Sequence, residues 1–132
     1  MRHARTVAAV LALALCPLEA AAACLRYGPP VHLTGALHRK AIPGADKTAT
    51  YWFLRLDQPV CVEARPGNDG IDVAYGTVRE VQLVLGGDLY RRYAALLDSR
   101  VTGIGTLFGR HTGHHATPVL LTVQELRRAD AR

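Results

Sequence analysis

One short helical stripe stands in a chain otherwise patterned for strands, and that interruption limits the fold more than any other feature. Leu89, Tyr90, Tyr93, Leu96 and Leu97 recur at spacings of three and four, the period that gathers side chains on one face of an α-helix. Asp88 follows Gly86-Gly87, which ends the preceding strand, and its carboxylate is expected to accept from first-turn amides. The helix is expected to run to about Ser99, its stripe serving core packing.

Around that helix the pattern is β. Val31, Leu33 and Leu37 alternate with His32, Thr34, Ala36 and His38, a half-buried strand with a bulge or sharp bend expected at Gly35. Residues 40–50 carry Pro43, Gly44 and Asp46 without an apolar period and read as a loop. A second strand spans Tyr51 to Leu56, pauses at Asp57-Gln58-Pro59, where proline cannot donate to a ladder, and resumes through Val60, Cys61 and Val62. Turn formers at 65–70 lead to a third strand containing Val78, Val81, Leu83 and Leu85. After the helix come strands at 101–108, loosened by Gly103 and Gly105, and at 118–126.

The order β-β-β-α-β-β is that of the OB-fold, so the expected class is mainly β: a small five-stranded OB-like barrel with one helix between strands three and four. An immunoglobulin-like sandwich would want about seven strands and no central helix.

The first 23 residues have the parts of an export signal. Arg2 and Arg5 supply charge, Val7 to Leu15 a short apolar run, and Ala20 to Ala23 small residues for cleavage. The run breaks at Pro17 and Glu19, well short of the roughly 20 apolar residues a membrane span needs, and no later stretch replaces it. Removing residues 1–23 of 132 leaves 109, the size of one domain over 24–132, and the net charge of +5 falls to +4 as Arg2, Arg5 and Glu19 leave. The expected location is therefore periplasmic or secreted. The remaining basic residues are scattered among acids, a solvated surface rather than a nucleic-acid footprint. Cys16 leaves with the signal, and the pair Cys24 and Cys61, entering an oxidising compartment, is expected to form a disulfide. The competing reading makes Cys24 a lipid-bearing first residue, but Ala21 stands where lipoprotein signals carry Leu.

Five stretches taken together are specific: Val31-His32-Leu33-Thr34-Gly35, Tyr51-Trp52, Leu56-Asp57-Gln58-Pro59-Val60-Cys61, Val81-Gln82-Leu83-Val84-Leu85, and Thr112-Gly113-His114-His115-Ala116-Thr117-Pro118-Val119. Through them the chain, from about Cys24 to Val123, resembles the exported bacterial proteins grouped as domain of unknown function DUF4431. The resemblance implies export and fold and carries no activity to transfer.

No catalytic signature is visible: there is no Gly-x-Ser-x-Gly elbow, no phosphate-cradling glycine loop and no His-Glu-x-x-His helix, and Ser99 is the only serine. Paired carboxylates such as Asp57 with Glu63, or Asp69 with Asp72, fall at turns or strand ends, where they read as solvated or capping groups. The expected role is a non-catalytic binding or structural module of the periplasm or cell envelope, its partner another exported protein or an envelope polysaccharide.

Two stretches are candidates for binding. Tyr51 and Phe53 share the face opposite Trp52, Leu54 and Leu56, and would form a stacking platform if exposed, although core packing is the favoured reading of the aromatic cluster. Arg110, His111, His114 and His115 fall in the loop 109–117, one of the loops with which OB-folds bind partners. The rival function is a zinc or copper site made by His111, His114 and His115, with His32 as a fourth ligand. Against it, consecutive His114 and His115 diverge, and the favoured alternative has the histidines bonding the backbone and holding the loop on the barrel. A third reading, an envelope hydrolase, has no residues to name.

Overall fold

Alternation in the sequence becomes alternation in burial. The computed structural model describes residues 3–4, 6–14 and 23–130, and in it the chain is mainly β, with six strands and one short helix. The strands are β1 (Leu25–Arg26), β2 (Pro30–Pro43), β3 (Thr48–Glu63), β4 (Tyr75–Val84), β5 (Arg100–Gly109) and β6 (Val119–Arg128). Along β5 every second residue is buried, Val101, Gly103, Gly105, Leu107 and Gly109, and along β2 the same holds from Val31 to Leu37. Period-2 burial is what a strand with one face on a core requires.

Five strands pair in a ring. β2 lies antiparallel between β3 and β5, β5 is antiparallel to β6, β6 is parallel to β4, and β4 is antiparallel to β3. The side chains inside include Leu37, Leu54, Val101, Val119 and Leu121, all fully buried, with Trp52 at 7% exposure. The sixth strand, β1, is absent from the sequence reading because two residues carry no period; it pairs parallel with Val62 and Glu63 of β3. It follows directly on Cys24, which is bonded to Cys61 with the two Cα atoms 4.7 Å apart, as expected.

Gly35 is not a bulge, since both of its pairings run without a register shift. It is the point where β2 changes neighbours: Pro30 to Ala36 pair with β5 and Gly35 to Pro43 with β3. A Cβ there would stand 2.0 Å from the Arg55 carbonyl oxygen, so only glycine lets the two strands approach. The shift lies instead between Ile104 and Gly105, where β6 holds one extra residue.

Two other expectations are corrected. The segment 40–50 is not a loop: β2 continues to Pro43 and β3 starts at Thr48, so only 44–47 turn, closed by Gly44 N–H donating to Lys47 O at 3.0 Å. The ladder is made by backbone groups, which need no apolar period. The helix is also shorter than its stripe, being α-helical over Leu89–Tyr93 (α1) and 3₁₀ over Ala94–Leu96, with no buried residue. Leu89, Tyr93, Leu96 and Leu97 pack against the core, while Asp88 makes no side-chain cap. Its carbonyl, rather than its carboxylate, takes the Arg92 N–H at 2.9 Å.

At the N-terminus, Val7, Val10, Leu11 and Leu13 are 83–90% exposed. Arg2, Arg5, Cys16, Pro17, Glu19 and most of the expected cleavage region lie outside the described residues. No helix among the described residues is long and apolar enough to cross a membrane.

Candidate functional site

Two continuous apolar triplets position the site. Trp52-Phe53-Leu54 in β3 and Val119-Leu120-Leu121 in β6 put hydrophobic side chains on both faces of their strands, so the outer face also needs cover. Pairing lines up an outer row of His38, Phe53, Gln82, Leu120 and Phe108 across the strands. Phe53 is 1% exposed, Gln82 3% and Leu120 0%. The loop after β5 folds back over this row.

Gln82 fastens it. Its Nε2 donates to the His114 carbonyl at 3.0 Å, its Oε1 accepts from Ala116 N–H at 2.6 Å, and its own backbone N–H donates to Thr117 Oγ1 at 2.9 Å. Thr117 Oγ1 in turn donates to the Val119 carbonyl at 2.7 Å, and Arg110 N–H donates to the Pro118 carbonyl at 3.0 Å. A polar side chain that is buried must be paired, and both ends of this amide are.

The histidines tie the loop to itself. His115 Nδ1 accepts from the backbone N–H groups of His111 and Thr112 at 3.1 and 3.3 Å, which requires that nitrogen to be unprotonated. Burial first, then the neighbouring His111 and His114, hold its imidazole below the usual histidine range, in agreement with that role. His111 Nδ1 lies 2.9 Å from the Gly109 carbonyl and therefore carries the proton there. Phe108 packs edge-on against both His111 and His115. On the other side, His114 Nδ1 meets Tyr51 Oη at 3.1 Å.

The loop's base rests on the turn at 65–72. Asp72, 4% exposed, accepts from Gly109 N–H at 2.8 Å and from Asn68 Nδ2 at 2.9 Å, so it acts as a buried cap. Gly109 is needed because a Cβ would stand 2.0 Å from the Ile71 carbonyl oxygen. Beside Phe53, Lys40 Nζ sits 4.3 Å over the ring, and Glu80 takes Lys40 Nζ at 2.5 Å and His38 Nε2 at 2.9 Å. Burial alone would raise the Glu80 pKa, but hydrogen bonds and charge from Lys40 and His38 outweigh it and hold the carboxyl below its ordinary value.

Between this loop and the β2–β3 hairpin lies a cleft of about 390 Å³, lined by Ile42, Pro43, Ala49, Tyr51, Gly113 and His114 among others. One wall carries backbone chemistry. β3 pairs with β4 only from Trp52 onward, so over Thr48 to Tyr51 it has β2 on one side and no strand on the other among the described residues.

The sequence candidates divide accordingly. Tyr51 and His114 come together at the cleft. Phe53 does face away from the core, but it is sealed beneath the loop and offers no stacking platform, which corrects its place among the binding residues. Arg110 is exposed at the loop's base. His111 and His115 turn inward toward Phe108 and the backbone. His32 pairs with Ile104, five residues before the end of β5, which sets it about 17 Å along the strand from the loop rather than beside it. Among the described residues no group of three or more His, Cys, Asp or Glu is arranged to hold a metal ion. Gln82, His38 and Glu80 are not among the sequence candidates because each reads as a solvent-facing residue of an alternating strand; the apolar triplets are the signal that this outer face is covered.

No curated protein matches the chain. The blocks at 81–85 and 112–119, the strand that bears Gln82 and the loop it fastens, both lie within residues 80–127, the stretch that matches the model of the family described as Domain of unknown function (DUF4431).

Proposed function

We propose that the protein is an exported, non-catalytic binding module, built as an OB-like barrel, whose cleft takes an extended peptide segment of another exported protein. The ring of pairings supports the barrel, with the helix falling between β4 and β5 and the parallel pair β4–β6 closing it, as the OB order requires. The Cys24–Cys61 bond favours an oxidising compartment. The apolar side chains of Val7, Val10, Leu11 and Leu13 are exposed rather than packed into the domain, which supports reading this run as a leader.

The observation that carries the binding reading is the open edge of β3 beside the cleft. Unpaired strand N–H and C=O groups are a template for one more strand, the way an extended peptide joins an exposed sheet edge. Here the neighbouring groups suit a peptide. Ile42, Pro43 and Ala49 offer apolar area for alternate side chains, while Tyr51 and His114 offer hydrogen bonds at the cleft's end. The loop across the cleft is held by Gln82 and His115, so the wall is formed before any ligand arrives.

A photo-crosslinking residue at Ala49, used in living cells, tests this. It should capture one exported protein, and the capture should fall in the same chain carrying Tyr51→Ala. Equal capture from a probe at exposed Gln124 on β6, or none at Ala49, would refute the assignment.

A further inference from the structure

A second concavity lies away from the cleft, where β3 leaves its ladder. The register with β4 passes from Arg55↔Glu80 to Val60↔Val78, so four residues of β3, Leu56 to Pro59, stand against one of β4. Bulges of this kind re-aim side chains. This one carries Asp57 to Arg100, the first residue of β5, whose Nε and Nη2 lie 2.7 and 2.5 Å from Asp57 Oδ2. Arg100 Nη1 also donates to the Asp130 carbonyl at 2.8 Å, fixing the guanidinium from both sides. The depression of about 230 Å³ so formed is lined by His32, Thr34, Leu56, Asp57, Gln58 and Arg100, with Leu33 and Val60 completing it.

We infer that this bulge pocket binds one neutral sugar residue. Arg100 and Asp57 balance each other's charge, so nothing selects an anion or a cation. Gln58 and His32 are exposed, and their side chains make no hydrogen bond to another described residue. The carboxamide both donates and accepts, as does a neutral imidazole, and so does every hydroxyl of a sugar ring. Leu56 and Val60 are half-buried and give an apolar wall for the ring's C–H face. At about 230 Å³ the space falls below the roughly 300–1,000 Å³ typical of drug-sized ligands, which limits it to a single ring.

The test is a two-dimensional NMR titration of the disulfide-bonded protein with glucose, N-acetylglucosamine and glucuronate. Saturable shifts of the amides at 32–34 and 56–60 are expected with at least one of the neutral sugars, and weaker ones with glucuronate. Gln58→Ala and His32→Ala should each weaken binding by about tenfold, the loss for one good hydrogen bond, while His114→Ala at the cleft should change nothing. No saturable shift at these amides up to about 100 mM of either neutral sugar, a binding constant in the feeblest range, would overturn the inference. So would titrations unchanged in both variants, or tighter binding of glucuronate. Loss of peptide capture at Ala49 leaves this result unaffected, so the two sites stand or fall separately.

Discussion

Replacing Gln82 by alanine should detach the loop without unmaking the fold. The substitution removes the donor to the His114 carbonyl and the acceptor of the Ala116 N–H, while the backbone bond to Thr117 remains. Each hydrogen bond contributes about 1 kcal/mol net, and a partner left short of water costs more, so the two together give a loss of about 2–3 kcal/mol. For a domain of this size that lowers Tm by about 10–15 °C. Urea unfolding of the oxidised protein reads the energy, and an unchanged m-value shows that the same surface is still buried in the folded state. Amide exchange reads the location: Ala116 N–H should lose protection by about tenfold or more, while Leu54 and Leu121 in the core change only as global stability does. A Gln82→Ala protein with wild-type stability and a protected Ala116 amide would show that Gln82 does not hold the loop.

Other outcomes follow from the same geometry. Cys61→Ala opens a 37-residue separation and should lower stability by about 4 kcal/mol in urea, on the chain-entropy model. Gly35→Ala forces a Cβ against the Arg55 carbonyl and should cost about 3 kcal/mol or more, seen as loss of soluble, cooperatively unfolding protein. Because the Glu80 carboxyl is held below 4.5, its ion pair stabilises the fold fully above that pH and the contribution is lost as pH falls through the folded value. Lys40→Ala should therefore flatten the acid limb of a stability-versus-pH curve, by no more than about 1 kcal/mol for a pair so exposed. Because no group of three or more His, Cys, Asp or Glu among the described residues is arranged to hold a metal ion, calorimetric titration with zinc should show no binding tighter than about 10 μM, a free energy near 7 kcal/mol.

The strands and their inward faces were legible because burial on one face writes a period of two into Val31, Leu33 and Leu37, and again into Val119, Leu121 and Val123. The Cys24–Cys61 bond was legible because reading residues 1–23 as a leader sets Cys16 aside and leaves these two cysteines as the pair. What stayed hidden depended on partners far away in sequence. Gln82 looks like a solvent-facing strand residue until the loop 32 residues later lies over it. Phe53 and Tyr51 were placed on the correct face, yet one is covered and the other borders the cleft, a difference set by how the loop returns rather than by either residue. The hairpin through 40–50 was missed because backbone groups alone hold it, and Gly35 drew a bulge where the structure uses it for close approach.

The claim that the β3 edge is the binding surface is tested most directly by amide exchange at Thr48 to Tyr51 in the complex with the protein captured at Ala49. Pairing with an added strand predicts that alternate amides in this stretch become protected by about tenfold or more, with matching slow exchange in a short segment of the partner. If these four amides exchange at the same rates with and without the partner bound, the edge is not where the partner pairs, and the account of the cleft is wrong.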